Sequence, residues 1–252
     1  MSRGPALLLA AGRATRLQGL REHYAKACVP VGDTTPLAHL LPRVLAGGWA
    51  PVWLNLHHHG EQVRDAALAL AAACGAADRL RFLEEPELLG TGGTLRAVTE
   101  AGGALPTLVA NVKVLTDFDL GLLAGAAPGT VVLHAGSPLA TFGGFRYDPE
   151  ARLVLGLQPR DVPIPEGEAA APYTGFCRPH PAWLDHLRQS DAALPCLVRQ
   201  GLLPALADGI PAPVLLHDGL WHEVSTPDRL EAAARAQRKL ATKSVPFSTG
   251  SP

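Results

Sequence analysis

The chain has 252 residues, 47% of them hydrophobic, enough for a sizeable core and well outside the disordered range. Lysine and arginine number 22 against 23 acidic residues, which excludes a global attraction to nucleic acid or acidic membranes and leaves room only for a local basic pocket. Cys28, Cys74, Cys177 and Cys196 show no metal-ligand spacing, and neither a leader pattern nor an apolar run of about 18 residues is evident, so a cytoplasmic protein with free thiols is the expectation.

Ala6-Leu7-Leu8-Leu9 reads as a strand buried on both faces, as parallel strands are. It runs into Ala10-Ala11-Gly12-Arg13-Ala14-Thr15-Arg16. The loop leaving such a strand opens at the carboxyl edge of the sheet, where α/β sheets hold ligands. Small residues let main chain approach a ligand, backbone N–H groups can cradle a phosphate, and two arginines add fork-like donors. A phosphate-bearing ligand and a plain surface turn both fit this loop taken alone.

Residues 36–46 carry Leu37, Leu40, Leu41, Val44 and Leu45 at helical spacing, with Pro36 suited to the first helical position and Gly47-Gly48 as a stop. A strand over 51–56, a helix over 60–73 and a strand over 80–83 follow. This alternation predicts an α/β fold with a parallel, doubly wound sheet. Glu84 to Thr94 holds three glycines in four positions, Gly90, Gly92 and Gly93, and reads as a second loop that lets backbone approach a flat ligand before a helix over 94–101. A strand over 106–111, a short helix after Leu120 and a strand over 130–135 come next. From Pro138 the texture changes to short strands over 141–147, 152–157 and 173–177, with an irregular excursion over 159–172. Helical pieces over 181–187 and 194–207 and a strand over 213–218 precede the last helix. That helix opens at Thr226-Pro227-Asp228 and runs to about Ala241. One domain over 1–241 with a frayed tail over 242–252 is expected.

Six segments in collinear order resemble the sugar-phosphate nucleotidyltransferases, a GT-A-like, Rossmann-related family, most of all its N-acetylmuramate 1-phosphate uridylyltransferase and mannose-1-phosphate guanylyltransferase-like branch. Ala10 to Leu17 resembles A-A-G-x-G-T-R-L, with Ala14 in place of the family glycine. Ala25-Lys26 with Val29-Pro30-Val31 resembles P-K-x-L-x-P-V. Gly90-Thr91-Gly92-Gly93, Asn111 to Leu120, Tyr173-Thr174-Gly175-Phe176 and Trp221 to Pro227 resemble the remaining signatures. Asn55-Leu56-His57-His58 and the short chain point to the uridylyltransferase branch. The implied fold is a mixed, mostly parallel sheet flanked by helices.

The resemblance implies transfer of NMP from an NTP, UTP or another, to a sugar 1-phosphate, releasing pyrophosphate. Arg16 would hold the β- and γ-phosphates, and Lys26 would bridge the two reacting phosphates. Ala10, Ala11, Gly12, Arg13, Ala14, Thr15, Glu87, Thr91, Gly92, Gly93 and Asn111 would surround the nucleotide. Gly143, Gly144, Thr174 and Gly175 would line the sugar side. The family's Mg²⁺ would fall to Glu223. At the family's other metal-binding aspartate stands Lys113, which is donor-only. Three readings fit Lys113: it replaces part of the metal's charge, Asp117 or Asp119 supplies a relocated ligand, or the chain binds nucleotide without turning it over. The alternative function is therefore a sensor or regulatory partner for nucleotide or NDP-sugar, in a homo- or hetero-oligomer. The family's E-K-P lysine has no counterpart at Leu157-Gln158-Pro159, and the His57-His58-His59 run reads as capping or core rather than as a metal site.

Overall fold

The computed structural model describes residues 2–243. The first strand, β1 (Ala6–Leu9), leads through a loop and two 3-10 turns to helix α1 (Pro36–Ala46). Thr35 Oγ1 accepts from the N–H of Ala38 at 3.1 Å, capping α1, and Pro36 takes the first turn. Leu37, Leu40, Leu41 and Val44 then fall on one buried face. Strand β2 (Val52–Leu56), helix α2 (Gly60–Ala73), strand β3 (Leu80–Glu84), helix α3 (Gly90–Gly102) and strand β4 (Leu108–Asn111) complete the first half.

The second half contains β5 (Val114–Thr116), α4 (Gly121–Gly125), β6 (Val131–His134), α5 (Leu139–Phe142), β7 (Gly144–Asp148), β8 (Leu153–Gln158), β9 (Ala169–Ala171) and β10 (Tyr173–Cys177). Helices α6 (Pro181–Gln189) and α7 (Leu203–Ala207), strands β11 (Val214–His217) and β12 (Trp221–Glu223), and helix α8 (Pro227–Lys243) follow. No helix among the described residues is long and apolar enough to cross a membrane.

A seven-stranded sheet runs in the order β11-β6-β10-β4-β1-β2-β3. All its pairings are parallel except those of β10 with β4 and β6. Side chains alternate along each strand, so Ala6 and Leu8 face the cluster built by α1 and α2, whereas Leu7 and Leu9 face the cluster of Leu95, Val98, Trp183 and Leu187. Each fully buried Leu contributes about 1.5–3 kcal/mol of transfer free energy. Two smaller units sit at the carboxyl edge: the antiparallel pair β12-β5 and the three-stranded sheet β8-β7-β9.

Several expectations change. The glycine-rich segment is the first turn of α3 rather than a loop, because the glycines serve helix packing. Residues 141–142 belong to α5, cut off from β7 by Gly143 at φ +64. The 159–172 excursion contains β9, while the helical pieces expected over 194–207 form as a π-helical segment, Leu197–Leu202, leading into α7. Strand β12, too short to show any alternation, was not anticipated. The last helix runs past Ala241, and positions 244–252 of the expected tail lie outside the described residues.

Candidate functional site

The loop after β1 is pinned from below. Asn55 sits in an otherwise apolar strand and is 4% exposed. Its Oδ1 accepts from the N–H groups of Ala10 at 2.7 Å and Ala11 at 3.3 Å. Its Nδ2 donates to Glu85 Oε1 at 2.9 Å. Thr94 Oγ1 donates to the same oxygen at 2.6 Å, and the N–H of Leu89 donates to Glu85 Oε2 at 3.1 Å. One buried network therefore ties the loop after β1 to the loop after β3 and the start of α3. Above it lies a cavity of about 280 Å³, walled by Ala10, Ala11, Gly12, Asn55, Glu85 and Thr91 among others. Leu88 and Leu194 give it an apolar side.

A second cavity, of about 320 Å³, adjoins the first. Its floor is Gly143, Gly144 and Thr174, and its walls carry Phe142, Tyr173 and Trp221. Four cations, Arg16, Lys113, Arg160 and Arg229, line it against the single carboxylate of Glu223. Asn111 and Lys113 belong to both cavities, so they mark the seam. Gly175, at φ +90, makes room for Asn111: a Cβ there would stand 2.4 Å from its Nδ2.

The seam is built by the β12-β5 pairing, which sets Glu223 opposite Val114 and thus beside Lys113. Lys113 Nζ donates to Glu223 Oε1 at 2.5 Å, and Arg229 donates to Glu223 Oε2. The Arg229 guanidinium lies over the Phe142 ring, 4.3 Å from its centroid. Lys26 reaches across from the first cavity and donates to Ser225 Oγ at 2.9 Å. Burial, and then the Lys113 charge, lower the Lys26 pKa to about 7, with Arg16 and Arg229 adding to the repulsion and Glu223 opposing it. Burial alone would raise the Glu223 carboxyl; Lys113, Ser225 and Lys26 together overcome it and hold the pKa at about 2.

Magnesium takes oxygen ligands in near-octahedral geometry at about 2.0–2.1 Å. Both oxygens of Glu223 already accept hydrogen bonds from cations. Asp117 and Asp119 are turned elsewhere, Asp117 Oδ1 accepting from the N–H of Leu220 at 2.7 Å and Asp119 Oδ1 from that of Gly121 at 2.8 Å. Among the described residues no group of three or more His, Cys, Asp or Glu side chains converges as a metal site. A divalent ion at Glu223 would also stand against Lys113 at roughly 8 kcal/mol of repulsion, for a double and a single charge about 4 Å apart at an effective dielectric of about 20. The residues present do not fit Mg²⁺ at Glu223, and no relocated site forms at Asp117 or Asp119.

Of the residues expected from sequence, Ala10, Ala11, Gly12, Lys26, Thr91, Asn111 and Lys113 line the first cavity. Arg16, Gly143, Gly144, Thr174 and Glu223 line the second, which Asn111 and Lys113 also border. Several depart. Gly92 and Gly93 face away from the cavity: a Cβ on Gly92 would lie 2.3 Å from Leu187 and 2.9 Å from the Pro195 carbonyl, and one on Gly93 would meet Leu89 and Pro195. Their small size seats α3 against the segment before the π-helix. Glu87 is exposed and lines neither cavity; Glu85, two residues earlier, is the wall residue. Arg13 and Thr15 are exposed, while Ala14, at φ +51, is buried against Leu17 and Val29. Sequence reasoning missed Asn55, Glu85 and Thr94 as a unit, and also Ser225 and Arg229. A polar residue inside the run Val52-Trp53-Leu54-Asn55-Leu56 was the available signal. The histidine run is structural: His57 Nδ1 pairs with the Glu85 carbonyl at 2.8 Å, and His58 and His59 meet the Arg21 carbonyl.

The sheet order, the single antiparallel strand and two adjoining cavities at the carboxyl edge define a Rossmann-like nucleotidyltransferase fold. UDP-glucose pyrophosphorylase, solved with UDP-glucose, superposes at a TM-score of 0.73, covering 95% of this chain and all of that one at 13% identity. In sequence the chain is similar to N-acetylmuramate alpha-1-phosphate uridylyltransferase of Caulobacter vibrioides, at 33% identity over 115 residues, spanning 44% of this chain and 47% of that protein. The Neisseria meningitidis protein of the same name is 26% identical over 233 residues, 90% of this chain and 96% of that one. The first match thus spans about half of its relative and the second nearly all of it. No family model matches the chain. In fold and in sequence the chain is similar to sugar-phosphate nucleotidyltransferases.

Proposed function

We propose that the chain transfers a nucleotidyl group from an NTP, UTP first among them, to a sugar 1-phosphate. The observation that carries this reading is the pair of adjoining cavities sharing Asn111 and Lys113. The first, low and apolar with backbone at its rim, suits a base and ribose. The second, aromatic-walled and cationic, suits a sugar phosphate. In the reaction an oxygen of the sugar phosphate forms a bond to the α-phosphorus while the bond from that phosphorus to the bridging oxygen of the β-phosphate breaks. Pyrophosphate leaves with the electron pair, and no proton has to move. Attack of one anion on another is the barrier, so positioning and fixed positive charge supply the catalysis. Lys26 lies between the cavities and would touch both reacting phosphates. Arg16 and Arg229 would orient the incoming sugar phosphate, and the Ala10–Gly12 main chain would hold the nucleotide.

The test is pyrophosphate release across the four NTPs and a panel of sugar 1-phosphates. Release with at least one pair, lost on Lys26→Met, is expected; no release from any pair overturns the reading. A second reading, a nucleotide or NDP-sugar sensor, draws support from the occupied carboxylate at Glu223. It requires tight nucleotide binding without pyrophosphate release.

A further inference from the structure

We propose that Lys113, locked to Glu223, takes the place of a divalent cation, so that this chain binds its triphosphate free of metal. The inference rests on the nucleotidyltransferase reading of the two cavities. It goes further by assigning the source of positive charge at the seam between them.

Three observations carry it. Lys113 is a wall of both cavities, so its ammonium stands where a nucleotide phosphate and an acceptor phosphate would meet. It is held there, not free to swing: Nζ is bound to Glu223 Oε1, and the other carboxylate oxygen is held by Arg229, itself stacked on Phe142. The side chain of Lys113 is nevertheless 33% exposed, which leaves N–H donors for a phosphate, whereas that of Glu223 is 9% exposed and has no open oxygen. Lys26, bound to Ser225, adds a second ammonium from the opposite wall.

The charge balance agrees. Arg16, Lys26, Lys113, Arg160 and Arg229 line the two cavities against Glu85 and Glu223, a surplus of positive charge that a triphosphate can neutralise. A metal-bound triphosphate brings two fewer negative charges and adds a cation next to two ammonium groups. The site therefore favours the free nucleotide. The bond changes in the transfer balance without a metal, since pyrophosphate leaves as an anion with the electron pair of the broken bond.

The experiment is calorimetric titration of the full chain with each of the four NTPs, once in excess EDTA and once in excess MgCl2. At least one NTP should bind as tightly or more tightly in EDTA. Lys113→Met should weaken binding in EDTA by about tenfold or more, as expected for losing a charged hydrogen bond. Lys113→Arg should retain it, and unchanged melting curves would show that both variants fold. Lys113→Asp, which sets two carboxylates beside Arg229, should bind poorly in EDTA and recover with MgCl2. Binding at least tenfold weaker in EDTA overturns the inference, as does an unchanged affinity in a folded Lys113→Met variant. Metal-free binding with no pyrophosphate release from any substrate pair would sink the transfer reaction and leave this inference standing. Release that depends wholly on MgCl2 would do the reverse, and failure of every NTP to bind in either buffer would overturn both.

Discussion

Replacing Asn55 by leucine should unpin the loop on which the first cavity depends. The two side chains are similar in volume, so the loss is one of hydrogen bonds and not of packing. The N–H of Ala10 loses its 2.7 Å acceptor, that of Ala11 a weaker one at 3.3 Å, and Glu85 Oε1 loses a donor at 2.9 Å. Asn55, Ala10, Ala11 and Glu85 are all at most 5% exposed, so the hydrogen bonds lost are buried ones. A buried group left without a partner costs about 1–3 kcal/mol. The Ala10 and Ala11 N–H groups together give roughly 2–6 kcal/mol on that scale, Glu85 Oε1 keeping its Thr94 donor, and burying leucine instead of an amide returns about 1–2 kcal/mol. Asn55→Leu should therefore lose about 3 kcal/mol, read as a lower urea midpoint at unchanged m-value, and nucleotide affinity should fall with it. Asn55→Asp separates the two halves of the network. It keeps the acceptor for Ala10 but sets a second carboxylate against Glu85. Two carboxylates that close cannot both ionise, so one pKa rises above its unfolded value. A raised acid contributes stability that is present below the unfolded value, near 4, and is lost as pH climbs through the raised one. The Asn55→Asp deficit should thus be small in acid and grow toward neutral pH. A folded Asn55→Leu chain within about 1 kcal/mol of the parent, with normal nucleotide affinity, would refute the hub.

Glu223, lowered from 4.5 to about 2, contributes stability present above pH 4.5 and lost as pH falls toward 2; the gap of about 2.5 units is worth roughly 3 kcal/mol at neutral pH. Urea midpoints measured down the acid limb should flatten in Glu223→Gln. Lys26, at about 7 in the free chain, should be largely neutral at about pH 8, and an approaching phosphate should raise its pKa. NTP binding at that pH should then take up close to one proton, and at about pH 6 almost none. Calorimetry in buffers of different ionisation enthalpy reads this, and Lys26→Met should abolish it. Gly92→Ala places a methyl 2.9 Å from the Pro195 carbonyl and should cost about 2 kcal/mol, a Tm drop of roughly 4–8 °C. Gly125→Ala meets nothing within 4 Å and should shift stability by no more than about 0.5 kcal/mol.

What the chain advertises locally was readable. The apolar run at Ala6–Leu9, the small residues after it and the leucine spacing of α1 are each contained within a turn or two, and each forms as expected. The seam is different. Lys113 and Glu223 are 110 positions apart, and their contact exists only through the antiparallel register of β5 with the three-residue β12. No periodicity encodes that pairing. The glycines at 92 and 93 were legible as requirements for small size, but what they accommodate, Leu187 and Pro195 or a flat ligand, depends on which way the first turn of α3 faces. The Asn55–Glu85–Thr94 network joins three separate segments and leaves only a faint local trace: one amide inside an apolar strand.

The two cavities divide the chain almost by halves. Leu194 apart, the first is assembled from residues before 114; Arg16, Asn111 and Lys113 apart, the second comes from residues after 140. Substitutions in the later half, in the β8-β7-β9 sheet or the opening of α8, can therefore reshape the second cavity while the first stays intact.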